Sequence, residues 1–249
     1  MLLVVTDFLR QPLCRSRRLF FALVFCFLPA IFLPVDLLLA GETAVSSGNP
    51  APAFPRIETI VCIRHGEKPP GGLGTLDVQG LNRALALPGV LLARYGKPAF
   101  IFAPDPAADP VTEGPVAIDG TGREEVCYVR PLLTIGPTAI RCELPINTCY
   151  GFKHIAGLEG ELDKPLYCNA LIFVAWEHHQ AEQFMRNEVR DHGGNPDAVP
   201  VWARDDFDSI YVARISHDET GAASVIFRID HEGLNGLSSS FPEPAGKKP

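Results

Sequence analysis

Three short apolar runs along the chain each stop abruptly. Ile60-Val61-Cys62-Ile63 ends in Arg64-His65-Gly66-Glu67, and Ala170-Leu171-Ile172-Phe173-Val174-Ala175-Trp176 ends in Glu177-His178-His179. Between them, Ala99-Phe100-Ile101-Phe102-Ala103 runs into a stretch rich in proline, glycine and acids. Continuous apolar runs of this length predict strands buried on both faces, as in a parallel sheet covered by helices. Helical spacing separates them. Asp77 is placed to cap a helix carrying Val78, Leu81, Ala84 and Leu85. Pro88 predicts that this helix ends or that a second one starts there, and Gly96 predicts the stop. Leu132, Leu133, Ile135 and Ile140 mark another helix with Pro131 at its first position, and Ala181, Phe184, Met185 and Val189 mark a third. Residues 209–215 and 224–229 alternate around the turn-rich His217-Asp218-Glu219-Thr220-Gly221, which predicts an antiparallel hairpin on the sheet edge. The whole reads as an α/β protein, a three-layer α/β/α sandwich with a mostly parallel central sheet and an antiparallel C-terminal hairpin.

Other stretches lack a period. Residues 104–126 read as a long surface loop, and residues 150–165 show no clear pattern. Residues 45–55 are rich in Ser, Pro, Ala and Gly and read as a linker, and residues 235–249 as a flexible tail. The folded domain is expected over residues 56–234.

Residues 1–44 form a separate object. Arg10, Arg15, Arg17 and Arg18 precede an apolar stretch over residues 19–40, and small residues follow, with Ala44-Val45-Ser46 and Leu38-Leu39-Ala40 as candidate cleavage sites. That order is a secretory signal, and the length of the stretch also suits an uncleaved membrane anchor. Either reading places the domain outside the cytoplasm, periplasmic or extracellular. Membrane association would run through this segment.

Composition narrows the partners. The chain has 249 residues, 47% of them hydrophobic, enough for a packed core. Twenty-nine acids against 22 Lys and Arg give a net charge of −7, with no basic run. That argues against nucleic acid, whose binding rests on phosphate neutralisation, while leaving room for a local basic pocket around a small phosphorylated ligand. Beyond the leader lie Cys62, Cys127, Cys142, Cys149 and Cys168. Cys62 and Cys168 are expected to be buried thiols; an oxidising compartment would allow one bridge among the other three. The spacing fits no zinc ribbon or finger, and adjacent His178 and His179 are expected to point apart, so no metal or other cofactor is implied.

The chemistry-bearing residues fall where the strands end. Ligands of open α/β sheets bind outside the carboxyl ends of strands, and Arg64, His65, Glu177 and His178 are delivered there. Gly66, without a Cβ, admits close approach to the backbone. Arg130 opens a helix, an unfavourable place for a cation unless an anion sits between them.

The Arg64-His65-Gly66 triplet after a first strand resembles the signature of the histidine phosphatase superfamily, the phosphoglycerate mutase-like fold. Leu76-Asp77-Val78-Gln79-Gly80-Leu81-Asn82-Arg83-Ala84 resembles that family's first-helix pattern, with Asp77 in place of Thr. The residues around Arg130 resemble its second-arginine helix, and His178 or His179 its second histidine after a late core strand. In relatives the step from the second strand to the second arginine is short, so residues 104–126 are an insertion.

The resemblance implies a phosphomonoesterase. Arg64 and Arg130 would grip phosphate in forked bonds, with Gly66 and His179 as further phosphate-side candidates. His65 would be the nucleophile and His178, the first choice over His179, would stabilise the transferring group. Glu67 and Glu177 are acid candidates by position alone; Glu159 or Glu161 would be the family-style alternative. A non-catalytic phospho-ligand binding domain of the same fold is the competing reading. Natural substrate, disulfide pairing and oligomeric state are left open by the sequence.

Overall fold

The computed structural model describes residues 55–116 and 122–243. Residues 1–54 and 244–249, and with them the leader, Cys14, Cys26 and most of the linker, lie outside the described residues. Among the described residues no helix is long and apolar enough to cross a membrane.

The first strand, β1 (Arg56–Arg64), is the centre of a five-stranded sheet. On one side it pairs in parallel with β5 (Leu171–Trp176), which pairs in parallel with β2 (Phe100–Phe102). On the other side it pairs antiparallel with β6 (Ser209–His217), which turns back into β7 (Ala223–His231). Only β6 therefore runs against the other four strands, giving the expected mostly parallel sheet with its C-terminal hairpin.

Period two divides the sheet between two cores. Val61, Ile63, Phe173, Ala175, Ile210 and Val212 face α1 (Val78–Tyr95) and α2 (Arg130–Cys142). Ile60, Cys62, Ile172, Val174, Tyr211 and Ala213 face α3 (Ile155–Leu162) and α4 (His178–Asp191). Because β1 and β5 are covered on both sides, their residues read as unbroken apolar runs.

Asp77 caps α1 by accepting the Gly80 N–H, and Gly96 ends it at φ 87°. Pro88 neither ends nor restarts the helix, which continues to Tyr95. Proline removes one helical hydrogen bond, and burial of Leu87 and Leu91 on either side of it holds the helix together. Residues 104–126 are not a plain loop but carry a two-stranded ribbon, β3 (Val111–Val116) and β4 (Arg123–Val126). Its polar strands leave no apolar alternation to read. The unpatterned residues 150–165 contain α3, a two-turn helix anchored by Ile155, Leu158 and Leu162.

Part of the segment after Leu234 bonds back to α1. Asn82 donates to the Ser238 and Ser240 carbonyls, and Asn235 accepts from Arg83. Cys62 and Cys142 are buried, Cys127 and Cys149 exposed, and Cys168 only partly covered, with no bridge among them.

Candidate active site

Pairing of β1 with β5 sets Arg64 opposite Trp176, and the His65 N–H donates to the Trp176 carbonyl across 3.2 Å. The two apolar runs therefore end at the same rim, side by side, and release Arg64-His65 and Glu177-His178 into one neighbourhood.

His65 is only 2% exposed. Its Nδ1 lies 2.7 Å from the Gly66 carbonyl oxygen. A carbonyl only accepts, so Nδ1 carries the proton and Nε2 keeps its lone pair. Burial drives the imidazole pKa well below the ordinary value, and the charges of Arg130 and Arg64 push the same way against the Gly66 bond. The ring is therefore neutral, with one nitrogen held and the other free.

Gly66 is fixed on both sides of its backbone. Its N–H donates to Thr134 Oγ1 at 2.9 Å, and the Thr134 hydroxyl donates to the Arg130 carbonyl. This couples the end of β1 to the first turn of α2. A Cβ on Gly66 would sit 3.0 Å from Gly80 Cα, and one on Gly80 would sit 2.3 Å from the Glu67 carbonyl oxygen. Two glycines let α1 touch the turn that carries His65. The Gly66 N–H is thus engaged inside the protein rather than directed at a ligand.

The arginines are placed differently from the forked grip expected of them. Arg64 Nη1 donates to the carbonyls of Ala203, Arg204 and Asp206, and its guanidinium lies 4.0 Å over the Phe207 ring. Arg130, the first residue of α2, holds Glu113 of β3 through both Nη1 and Nη2. Glu113 also accepts the Gly74 N–H and lies 3.6 Å from Lys68. Burial raises the Glu113 carboxyl, but Arg130, the Gly74 bond and Lys68 outweigh it and leave it below the usual range.

Tyr128, which its apolar surroundings in the sequence gave no reason to single out, stands between them. Its ring meets His65 edge-on at 5.9 Å and lies 4.4 Å under the Arg130 guanidinium. His65 and Arg130 thus share one neighbour. Arg64 Nε, Arg130 Nε, the Tyr128 hydroxyl and both ring nitrogens of His178 are buried with no hydrogen-bond partner. Buried polar groups in folded proteins are nearly always bonded, so orphans gathered among neighbouring residues mark a place built for something else.

His178 is turned inward and His179 outward. Their rings do not point apart: the centroids are 4.0 Å from each other. His178 Nδ1 approaches Glu177 Oε1 at 2.5 Å without hydrogen-bond alignment. Among the described residues, Glu177, His178 and His179 bring ligand-type atoms within 4.8 Å of one another. They are the residues that could hold a metal, although the N-terminus of α4 opposes a cation there, and Glu177 also caps that helix through the Gln180 N–H. Burial raises the Glu177 carboxyl, while His178 and the Gln180 N–H bring it below the usual range.

Glu67 is taken by Arg83, which donates to both its oxygens at 2.9 and 2.7 Å. Arg83 is fully buried on α1 and also holds Glu232 and Asn235, so this pair ties the turn after β1 to the segment after β7. Glu161 accepts from Tyr150, Tyr167 and Lys164, and Glu159 from Asn187. Both belong to the region of α3. Arg83, Tyr128 and Glu113 are the residues that the sequence reading passed over. Only a polar residue at an otherwise helical core position, Arg83, left any signal.

No family model matches the chain, and no curated protein matches it. Solved structures are similar to it at low identity. A protein assigned as phosphohistidine phosphatase SixA from Nakamurella multipartitia is 14% identical, with 71% of this chain and 98% of that one covered and a TM-score of 0.45. A mycobacterial glucosyl-3-phosphoglycerate phosphatase is 14% identical over 70% of this chain and 97% of its own, with a TM-score of 0.43. A phosphoserine phosphatase from Entamoeba histolytica is 11% identical over 72% and 99%, with a TM-score of 0.39. These are members of the histidine phosphatase superfamily, the group whose signature the Arg64-His65-Gly66 turn resembles.

Proposed function

We propose that this chain is a phosphomonoester hydrolase working through a phosphohistidine on His65. The observation that carries the reading is the state of His65: a buried neutral imidazole whose Nδ1–H is held by Gly66, set beside Tyr128 and Arg130 with their unpartnered donors. A phosphoryl group in transfer needs a nucleophile and donors for its equatorial oxygens, and little else from the protein. Nε2 attacks phosphorus, the P–N bond forms and the P–O ester bond breaks, and the alcohol oxygen leaves with the bonding pair. Water then attacks phosphorus, the P–N bond breaks, and inorganic phosphate is released with His65 restored. Arg64 and Arg130 meet the oxygens through their Nε–H groups, and His178 donates as charge develops. Small phosphorylated molecules are the substrates, and the leader pattern puts the activity outside the cytoplasm.

Quenching of the full chain in alkaline detergent after mixing with radiolabelled p-nitrophenyl phosphate tests the reading. An acid-labile, base-stable phosphoprotein is expected in the wild type and not in His65→Ala. Turnover retained by both His65→Ala and Arg130→Ala overturns it.

One observation favours a second reading, a phospho-ligand binding domain without turnover. The carboxylates nearest the histidines are all engaged: Glu67 by Arg83, Glu113 by Arg130 and Glu177 by the Gln180 N–H. None is free to protonate a poor leaving group. Hydrolysis of an aryl phosphate separates the two, because its leaving group needs no acid.

A further inference from the structure

We propose that the Tyr128 hydroxyl is a contact for the bound oxyanion, donating its proton in a hydrogen bond to a non-bridging oxygen of the phosphoryl group on His65. This rests on the phosphatase reading above and adds to it a residue that the signature motifs do not contain.

The argument starts from an unmade bond. Tyr128 is 1% exposed, and no acceptor among the described residues takes its hydroxyl proton. A buried O–H without an acceptor forfeits the hydration of its proton and gains nothing in return. Its neighbours sharpen the point. Arg130 stands over the ring, and Arg64 is near enough for its charge to be felt at the hydroxyl. Guanidinium groups only donate. They can offer a hydrogen to the tyrosine oxygen, but they cannot receive the tyrosine proton. A phenol proton and two guanidinium N–H groups can be satisfied together by one species, an acceptor of several hydrogen bonds. A tetrahedral oxyanion is such a species.

Position agrees with this. The Tyr128 ring is held edge-on to His65 at 5.9 Å and packs on Phe152 at 4.6 Å. Its backbone is fixed at both sides, the N–H of Tyr128 donating to the Pro106 carbonyl and that of Val129 to the Gly74 carbonyl. The hydroxyl is therefore pre-placed, which is what makes a donor effective as charge develops. Burial raises the phenol pKa, so the hydroxyl keeps its proton at neutral pH. It serves as a neutral donor and takes no part in moving the leaving-group proton.

The test uses the full-length chain and the variants Tyr128→Phe and His65→Ala, with inorganic phosphate binding by calorimetry, turnover of p-nitrophenyl phosphate and thermal melting. Tyr128→Phe is expected to bind inorganic phosphate about 10-fold more weakly and to lower kcat by about 10- to 100-fold. Its melting temperature should hold or rise, since the change removes an unpartnered polar group and keeps the ring. The pH dependence of kcat should keep its shape. Phosphate affinity and kcat within twofold of wild type would overturn the inference, as would losses that come with a lowered melting temperature, which indicate a structural role. A wild type that neither binds phosphate nor loses turnover on His65→Ala fails at the earlier step, the phosphatase reading, and takes this inference with it.

Discussion

Glu113 and Arg130 meet in a forked ion pair, each carboxylate oxygen taking one terminal nitrogen of the guanidinium. The carboxylate comes from β3, within residues 104–126, and the guanidinium from the first turn of α2. Such a fork is also how arginine holds phosphate. Arg130 is 4% exposed and His65 2%, so a substrate reaches them only if neighbouring groups part.

Removing the carboxylate charge therefore frees the arginine. Glu113→Gln is expected to tighten inhibition by inorganic phosphate about 10-fold, equivalent to about 1.4 kcal/mol. Inhibition constants against p-nitrophenyl phosphate measure this. Weaker inhibition would show instead that Glu113 serves to hold Arg130 in place.

The state of His65 has its own signature. Burial first, and then the charges of Arg130 and Arg64, depress its pKa well below 6.5. A depressed imidazole is neutral at every pH above its lowered midpoint, and becomes cationic only in acid. Nitrogen-15 shifts of the His65 ring should report a neutral Nδ1–H tautomer from pH 8 down to below pH 6. A midpoint at or above 6.5 contradicts the burial argument.

Gly80 was legible as part of a helix, and its spatial role was not. A methyl group there would lie 2.3 Å from the Glu67 carbonyl oxygen and 2.8 Å from its nitrogen, both backbone atoms. Backbone cannot rotate away, so α1 must retreat from the turn. Gly80→Ala is expected to cost about 1–3 kcal/mol, as overpacking does. A loss of turnover should accompany it because the same turn carries His65. Thermal melting and kcat of the variant check both.

At the opposite end of β1, Glu58 is buried with its pKa pushed up to about 8, by burial first and by Asp163 second. Glu188 of α4, buried nearby, is pushed up as well, by burial and then by Glu58, Asp163, Glu159 and Asp191. A cavity of about 100 Å³ there is lined by both glutamates with Asp163, His192 and His217. A carboxyl whose folded pKa exceeds its unfolded value favours the folded state most when protonated. Its contribution is full below about pH 4.5 and is lost as pH rises towards 8. Glu58→Gln should therefore raise the melting temperature at pH 8 by several degrees and change it little at pH 4.5. A gain at acid pH alone would reverse the sign.

Much of the architecture was legible because burial on both faces leaves a mark in one dimension. The unbroken runs of β1 and β5 could hardly be anything but covered strands, and their abrupt ends announced where chemistry would collect. The alternation of β6 and β7 and the caps Asp77 and Gly96 were equally local. Elements without local marks were missed. The ribbon of β3 and β4 is too polar for a period to register, α3 has only two turns, and the effect of Pro88 depends on what its helix packs against.

Sequence by itself determined the composition of the rim: a cation and an imidazole after one strand, a carboxylate and an imidazole after another. Which groups are occupied was decided only by the tertiary structure. It gave Glu67 to Arg83, Glu113 to Arg130, the Gly66 N–H to Thr134 and one arm of Arg64 to three carbonyls. It left the Tyr128 hydroxyl proton without an acceptor. The reason is physical: strand and helix periodicity is written in neighbouring residues, whereas a hydrogen bond between groups many residues apart exists only once packing has fixed both ends.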